Sequence, residues 1–214
     1  MRSIFVVILF FISSIIMCQD FGVRVGVTTA TPTGNNDAYE FNFLESLSPG
    51  YRVSLFGNFE ASNIITVKPE ISHKEYAIKQ KIDFGGTSIF DVEQRHTTFS
   101  ADFNFDIRLT NKWSLIFGIG VDYLIAQKNT IEVGGLKDTY NYDLTGMTND
   151  ERLDPFANVG LCFKIGKSII IDLEYRHLLD NWGAGDLITG NQLLSSDNGS
   201  VKLHMLNFSI GLII

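Results

Sequence analysis

The residues best suited to acid–base chemistry in this sequence are carboxylates that recur at every second or fourth position beside basic side chains. Asp102 and Asp106 lie four residues apart, and Asp172, Glu174 and Arg176 alternate with apolar residues in "IIIDLEYRH". Paired carboxylates can act as general acid and base. The same spacing is also that of a β-strand, in which successive side chains point to opposite faces. Because basic residues accompany the acids, the pattern favours salt-bridged structural residues over a catalytic pair.

The four histidines, His73, His96, His177 and His204, do not form a hydrolytic motif. A serine hydrolase brings a Ser hydroxyl within hydrogen-bonding reach of an imidazole that a carboxylate orients. No histidine has a serine two residues away, and His96 and Ser100, which share a strand face, are separated by roughly 13 Å at ~3.3 Å per residue. His177 is expected among the interfacial residues at the loop end of its strand. The sequence therefore predicts no catalytic residue and a protein that is not an enzyme.

Signals for metals and cofactors are weak. Asp180, Asp186 and Asp197, in "DNWGAGD" and "DNGS", carry oxygen ligands of the kind that Ca²⁺ binds, but Asp, Asn and Gly are also the residues that turns require. No Gly-rich phosphate loop, zinc spacing or nucleotide motif occurs. We therefore predict no metal and no cofactor.

Composition and the N-terminus indicate an exported protein. The 214 residues carry a formal charge of −7 with scattered Lys and Arg, which argues against nucleic-acid binding. After Arg2, "IFVVILFFISSIIM" is an uncharged run that matches a secretory signal peptide and falls short of the ~20 residues of a spanning helix. Residues 1–19 are predicted to be this signal, cleaved near Cys18 or Gln19; a lipid-modified Cys18 is the alternative.

The remaining residues, 20–214, show strand-type alternation of apolar and polar side chains eight times, and no helical period competes with it. The eight segments are 20–28, 50–60, 65–72, 99–109, 113–125, 156–165, 169–177 and 206–214. The links between them alternate in length: short ones near residue 62 and at 110–112 and 166–168, long ones at roughly 29–48, 80–95, 128–152 and 180–201. Short turns on one side and long loops on the other are typical of outer-membrane barrels. We therefore predict one all-β domain, an eight-stranded antiparallel up-and-down transmembrane β-barrel.

The alternation also predicts which side chains fill the barrel. If the apolar faces meet lipid, six basic and seven acidic side chains share the interior, a balance that allows them to pair as buried charges must. An eight-stranded barrel is just wide enough for side chains to fill its interior. The predicted interior network consists of Arg24, Arg52, Glu60, Lys68, Glu70, Asp102, Asp106, Arg108, Asp122, Lys164, Asp172, Glu174 and Arg176. A soluble β-sandwich or barrel is the alternative, and it would place the apolar faces at the centre.

Several segments resemble the small porin-family outer-membrane β-barrel domain of gram-negative bacteria. They are "FGVRVGVTTA", "SPGYRVSLFGNFEAS", "ITVKPEIS" with its proline, "LIFGIGVDYLIA" and "IIIDLEYRH". The resemblance covers nearly all of residues 20–214 and implies an outer-membrane location, contact with outer-membrane lipids and assembly by the barrel-insertion machinery. Such barrels commonly end in an aromatic residue, whereas this chain ends in Ile214, so Phe208 and Gly211 are expected to carry the remaining insertion signal.

These observations favour a non-enzymatic membrane scaffold with a plugged lumen, whose long loops bind an extracellular protein, polysaccharide or surface. A narrow passive pore is the first alternative, and it requires a continuous water path through the lumen. A lipid-directed outer-membrane hydrolase is the second.

Overall fold

The structure is a computed structural model that describes residues 20–33, 47–84, 87–148, 152–179, 182–183 and 200–214. The predicted signal segment, 1–19, lies outside the described residues, so the domain boundary at residue 20 stays a prediction. Most of the first and last predicted long links lies outside them as well.

The described chain consists almost entirely of β-strands, with one short 3₁₀ helix at Leu144–Gly146. The strands are β1 (Asp20–Thr33), β2 (Leu47–Glu60), β3 (Ile65–Phe84), β4 (Thr87–Arg108), β5 (Trp113–Val133), β6 (Leu136–Asn141), β7 (Leu153–Ile165), β8 (Ile169–Leu178), β9 (Trp182–Gly183) and β10 (Ser200–Ile213). All eight predicted strands are present, and most extend beyond their predicted ends.

The eight long strands close into a barrel. They pair antiparallel in the order β1-β2-β3-β4-β5-β7-β8-β10, and β10 returns to pair with β1 from Gly22 opposite Ile213 to Thr33 opposite Lys202. Closure leaves no free sheet edge among these strands, which is the condition for a β-structure to cross a membrane. The predicted fold class is confirmed.

The two ends of the barrel differ. Short turns at residues 61–64, 109–112 and 166–168 join β2 to β3, β4 to β5 and β7 to β8, and Gly166 supplies the positive φ of 65° that the last of these requires. We call this the short-turn end and the opposite one the long-loop end. At the long-loop end the predicted open link at 80–95 is wrong, because β3 and β4 stay paired until Phe84 meets Thr87. Beyond the lipid neither face must be apolar, so the sequence pattern fades although the backbone ladder continues.

The barrel is apolar outside and charged inside. Phe117 and Leu173 point outward and are 43% and 45% exposed, whereas Arg24 and Arg176 point inward and are 2% and 0% exposed. A soluble barrel would show the reverse arrangement, so that alternative is excluded. A one-residue slip of any strand would exchange its two faces, and this fixes the register of every pairing.

Aromatic rings lie on the outward face towards both ends of the barrel. Near the short turns, Trp113 packs against Phe163 with ring centroids 4.6 Å apart. Towards the long-loop end, His73 lies between Tyr51 and Phe99 at 5.8 and 5.3 Å. Two such girdles border the lipid-facing band of an outer-membrane barrel.

Candidate functional site

The centre of the barrel holds a cluster of three arginines and four carboxylates. Arg24 on β1, Arg52 on β2 and Arg176 on β8 point inward because they occupy the positions between lipid-facing residues. The four carboxylates reach the same level from β3, β4 and β8. They are Glu70, Asp102, Asp172 and Glu174. We call these seven residues the central ion cluster.

Arg24 and Arg52 each contact three carboxylates. From Arg24, Nη1 lies 2.8 Å from Glu70 and 3.0 Å from Glu174, and Nη2 lies 3.0 Å from Asp172.

From Arg52, Nη2 lies 2.7 Å from Glu70 and 2.9 Å from Asp102, and Nη1 lies 2.9 Å from Glu174. A planar guanidinium with several donors suits such multiple contacts, whereas a lysine offers one point charge.

Arg176 completes the central ion cluster by donating to Asp102 and lying 3.4 Å from Glu174. Every carboxylate of the cluster therefore has at least one guanidinium partner.

Two further ion pairs lie above and below the central ion cluster. Lys68 pairs with Asp106 towards the short turns. Lys74 pairs with Asp122 towards the long loops, where the Ser100 hydroxyl also donates to Asp122 over 2.5 Å.

Lys74 was missing from the predicted network, because the third strand was predicted to end at Ser72. Continuing the alternation of Lys68, Glu70 and Ser72 by one more step would have found it. Among the residues that the structure describes, the buried charged groups then number five basic and six acidic, which leaves this part of the interior close to neutral.

Apolar side chains pack inside the barrel on both sides of the central ion cluster. The layer towards the short turns consists of Phe56, Ile116, Cys162 and Ile170, against which Ile213 packs. The layer towards the long loops consists of Ala30, Tyr76, Ile78, Phe156, Leu178, Leu203 and Met205. We call them the lower and upper apolar layers. The residues of each layer are almost completely buried.

The two layers also contact the ions directly. The Arg24 guanidinium lies 4.9 Å from the centre of the Phe56 ring, and that of Arg176 lies 4.4 Å from the centre of the Phe156 ring. Cations at these distances are attracted by the negative face of an aromatic ring. The rings thus help to hold the guanidinium groups in place while separating them from both mouths of the barrel.

Glycine provides the space that these large interior side chains need. Gly118 faces inward between Asn104 and Asn158, whose side-chain amides hydrogen-bond to each other over 3.0 Å. A Cβ atom at position 118 would collide with both amide oxygens.

Three residues of the predicted network lie at the rim of the barrel, away from the central ion cluster. Glu60 and Arg108 are exposed at the short-turn end and form a loose ion pair of 3.7 Å. Lys164 is partly exposed there and lines, with both of them, a shallow cavity of about 160 Å³. At these positions the lumen opens to water, so charges need no buried partner.

The sequence-level candidates for catalysis have other contacts. Within the lumen, His96 stacks in parallel on Tyr76 at 5.3 Å, and Ser100 bonds to Asp122. His177 Nδ1 lies 3.2 Å from His204 Nδ1 on the outer surface. The possible calcium ligands Asp180, Asp186 and Asp197 lie outside the described residues.

The wall continues past the girdle at the long-loop end. Eleven residues of β3 follow His73 and stay paired with β4, which is roughly 36 Å of strand at ~3.3 Å per residue. β5 also continues and folds back as β6, whose six residues are all exposed. We call this the projecting sheet, formed by the outer parts of β3, β4 and β5 together with β6.

Ion pairs and a helix cap fix the outer surface of the projecting sheet. Arg95 lies 2.8 Å from Glu75 and 2.9 Å from Glu93. Beyond β6, the Asp143 carboxylate accepts the Thr145 amide over 2.9 Å and caps the short 3₁₀ helix. These hydrogen bonds from Thr145 lower the pKa of Asp143 below its usual value.

A closed barrel with an apolar outer face, aromatic girdles and paired charges inside is the architecture of an integral outer-membrane β-barrel. No helix in the described residues is both long and apolar enough to cross a membrane. The protein is a small eight-stranded β-barrel with the architecture of an outer-membrane protein. By the usual orientation of such barrels, the short turns face the periplasm and the projecting sheet faces outward.

A comparison with solved structures finds outer-membrane proteins among the similar chains. The attachment invasion locus protein Ail of Yersinia pestis shares 14% identity at a TM-score of 0.49, covering 92% of this chain and 100% of Ail. The outer membrane protein OprG of Pseudomonas aeruginosa shares 10% identity at a TM-score of 0.46, covering 92% of this chain and 96% of OprG. The outer membrane protease OmpT of Escherichia coli shares 6% identity at a TM-score of 0.43, covering 92% of this chain and 97% of OmpT. No protein-family model and no curated protein sequence matches the chain.

These similar barrels have different functions, one named for attachment and another a protease, and Ail has also been solved with the heparin analogue sucrose octasulfate. Similarity at this level describes the architecture and leaves the function open. Function therefore has to be argued from the residues of this chain.

Barrel closure predicts a simple gel behaviour. The folded protein is expected to resist denaturation in dodecyl sulfate at room temperature, because unfolding must break a closed ladder of backbone hydrogen bonds. Unheated and boiled samples should then migrate differently. Identical migration of folded material in both lanes would contradict the membrane-barrel assignment.

Proposed function

We propose that the protein is a non-enzymatic membrane scaffold whose lumen is plugged and whose projecting sheet and loops bind a partner or surface outside the cell. The observation that carries this proposal is the filled interior: the central ion cluster lies between two apolar layers. Conduction would need water and ions to pass both layers, and Phe56 and Tyr76 alone are at most 1% exposed.

The projecting sheet supports the other half of the proposal. It presents long, well-paired strands beyond the membrane, and rigid frames of this kind commonly carry recognition at their exposed ends. β6 offers a hydrophobic and an aromatic side chain there, since Leu136 is 81% exposed and Tyr140 is 38% exposed. Side chains of this type anchor protein interfaces.

We also favour a non-catalytic role because the residues that could catalyse lipid hydrolysis have structural contacts. The carboxylates of the lumen are paired with Arg or Lys, and His177 faces a second imidazole. Unaltered lipid A in cells that overproduce the protein is the expected result, and a modified lipid A would favour the hydrolase alternative.

Conductance measurements test the plugged lumen. The purified barrel, inserted in a planar bilayer, is expected to produce no stepwise current, and Phe56→Ala or Tyr76→Ala should also stay silent because the ion cluster and the opposite layer still fill the section. A general porin in the same membrane serves as the positive control. Regular channel steps from the native protein would establish the pore alternative instead.

Shortening the projecting sheet tests the binding role. Residues 79–93 can be replaced by Asn-Gly, a turn that closes a two-residue hairpin between the paired residues Ile78 and Gln94. We expect this variant to keep its heat-dependent gel shift while its cells attach less to polysaccharide-coated or bare surfaces. Attachment equal to that of the native protein would contradict a role for this hairpin.

A further inference from the structure

Two histidines from neighbouring strands meet on the outer surface of the barrel. His177 on β8 is directly opposite His204 on β10, and their Nδ1 atoms are 3.2 Å apart. The Tyr175 hydroxyl contacts the same Nδ1 of His204, and the rings of Tyr175 and His204 stack at 5.7 Å. Three polar atoms therefore converge on one spot.

Hydrogen bonds alone do not account for all of these contacts. A neutral imidazole has one N–H donor and one lone pair on its two ring nitrogens. If Nδ1 of His204 is the acceptor, Tyr175 and His177 compete for one lone pair. If it is the donor, its one proton cannot serve both neighbours. A shared cation would satisfy all three atoms at once.

The separation of the two nitrogens matches the spacing of metal ligands. Two nitrogens bound at ~2.0–2.1 Å with a tetrahedral angle between them lie about 3.3 Å apart. The two Nδ1 atoms are 3.2 Å apart. This distance is within 0.1–0.2 Å of the expected separation, without any movement of the backbone. Both rings sit on paired strands of a closed barrel, so the spacing is held by the fold.

The pair lies near the end of β8, where the lipid-facing band meets the long-loop end of the barrel. His177 and His204 are partly exposed and Tyr175 is exposed, on the outward face towards the long-loop end. No group of three or more His, Cys, Asp or Glu side chains in the described residues is placed to hold a metal ion. A site here would therefore depend on two imidazoles and a phenol.

We propose that His177, His204 and Tyr175 form a surface site for a late first-row divalent metal ion, with the two Nδ1 atoms as ligands and the phenol oxygen as a third donor. Imidazole ligands suit Cu²⁺, Ni²⁺ and Zn²⁺, and Cu²⁺ is held most tightly in this series. No sequence pattern indicates the site, because residues 177 and 204 are far apart in the chain and become neighbours only through the pairing of β8 with β10.

Copper binding by the folded protein tests this site. The full-length protein in detergent micelles is titrated with Cu²⁺ and followed by electron paramagnetic resonance and calorimetry. We expect one tight Cu²⁺ per chain, with a hyperfine pattern from two imidazole nitrogens. Loss of an outer-shell partner already lowers metal affinity roughly tenfold to a hundredfold, so His177→Asn and His204→Asn should each lower it by at least as much.

His73→Asn is the matched control, because His73 is another outward-facing girdle histidine whose described contacts are the rings of Tyr51 and Phe99. It should leave Cu²⁺ binding unchanged, and the gel shift on heating checks that every variant is folded. As a second readout, Cu²⁺ should raise the urea midpoint of the native protein but not of the double variant His177→Asn/His204→Asn. Binding that survives in the double variant, or that depends on one histidine alone, would overturn the proposal.

Discussion

Replacing Arg52 with methionine is expected to lower the free energy of unfolding by about 3–5 kcal/mol, the usual result of removing one partner from a buried ion pair. Arg52 lies within 2.9 Å of Glu70, Asp102 and Glu174, and its side chain is buried. Methionine keeps most of the volume but leaves three carboxylates with less positive charge in a sealed interior. Urea unfolding in lipid vesicles, followed by tryptophan fluorescence, measures the change.

The matched control is Arg95→Met. Arg95 also contacts two carboxylates, Glu75 and Glu93, but it lies on the outer surface of the projecting sheet with 39% of its side chain exposed. Exposed ion pairs contribute only about 0.2–1 kcal/mol because water already solvates their charges. The same substitution should therefore have a small effect at position 95 and a large one at position 52.

A second substitution separates lost charge balance from lost packing. Glu174→Gln removes one of the negative charges that Arg52 neutralises, so the double variant Arg52→Met/Glu174→Gln should recover part of the stability that Arg52→Met loses. If Arg52→Met and Arg95→Met have equal effects, or if the second substitution recovers nothing, the ionic interior does not stabilise the barrel in the way we infer.

The fold could be predicted from the sequence because a membrane barrel imposes its rule on each strand separately. Every lipid-facing side chain must be apolar, so the alternation in "FSADFNFDIRL" or "IIIDLEYRH" indicates a strand and its two faces without knowledge of any partner. The near balance of acids and bases then decided which face is inside. Both inferences use only local spacing and composition.

The interior could be predicted in part. Arg24, Arg52 and Glu174 were placed in the lumen by alternation, but which arginine meets which carboxylate depends on the relative heights of eight strands. These relative heights are set by the pairing registers. For example, Gly22 lies opposite Phe56 on one side and Ile213 on the other. Spacing within one strand carries no information about it.

Alternation assigns residues of the apolar layers to the inward face, but it does not predict that they form layers. Ile116 and Ile170 lie between outward-facing apolar residues in "SLIFG" and "SIIID", so local composition does not distinguish them from these neighbours. The structure places both inside, in the lower apolar layer. Where both faces of a strand are apolar, the sequence therefore does not distinguish a plugged barrel from an open one.

The extent of the projecting sheet was missed for a related reason. Outside the membrane the outward face of a strand is solvated, so the apolar residues that mark lipid-facing segments are no longer required there. β3 and β4 keep their backbone pairing there up to Phe84 and Thr87, where the apolar alternation of the sequence is interrupted, for example by Gln80. Recognition by this sheet is therefore inferred from the paired strands of the structure and not from a sequence pattern.

Leu173→Arg is expected to destabilise the folded protein in bilayers by about 2–4 kcal/mol, the range for an arginine on the lipid face near the bilayer midplane. Leu173 points outward from β8, lies between Leu161 and Phe208 on the neighbouring strands, and is the middle outward-facing residue of 169–177. Equilibrium unfolding in vesicles gives the change, with each variant first refolded from urea.

Ile169→Arg in the same strand is the control for depth. Ile169 also faces outward, but it adjoins the short turn at residues 166–168. There an arginine reaches the headgroups, and the expected loss falls to about 0–1 kcal/mol. On a water-exposed barrel both substitutions would be nearly neutral, since Leu173 and Ile169 have similar exposure. A large effect at 173 with a small one at 169 requires a hydrocarbon layer around the barrel, whereas equally small effects would show that the apolar belt faces water.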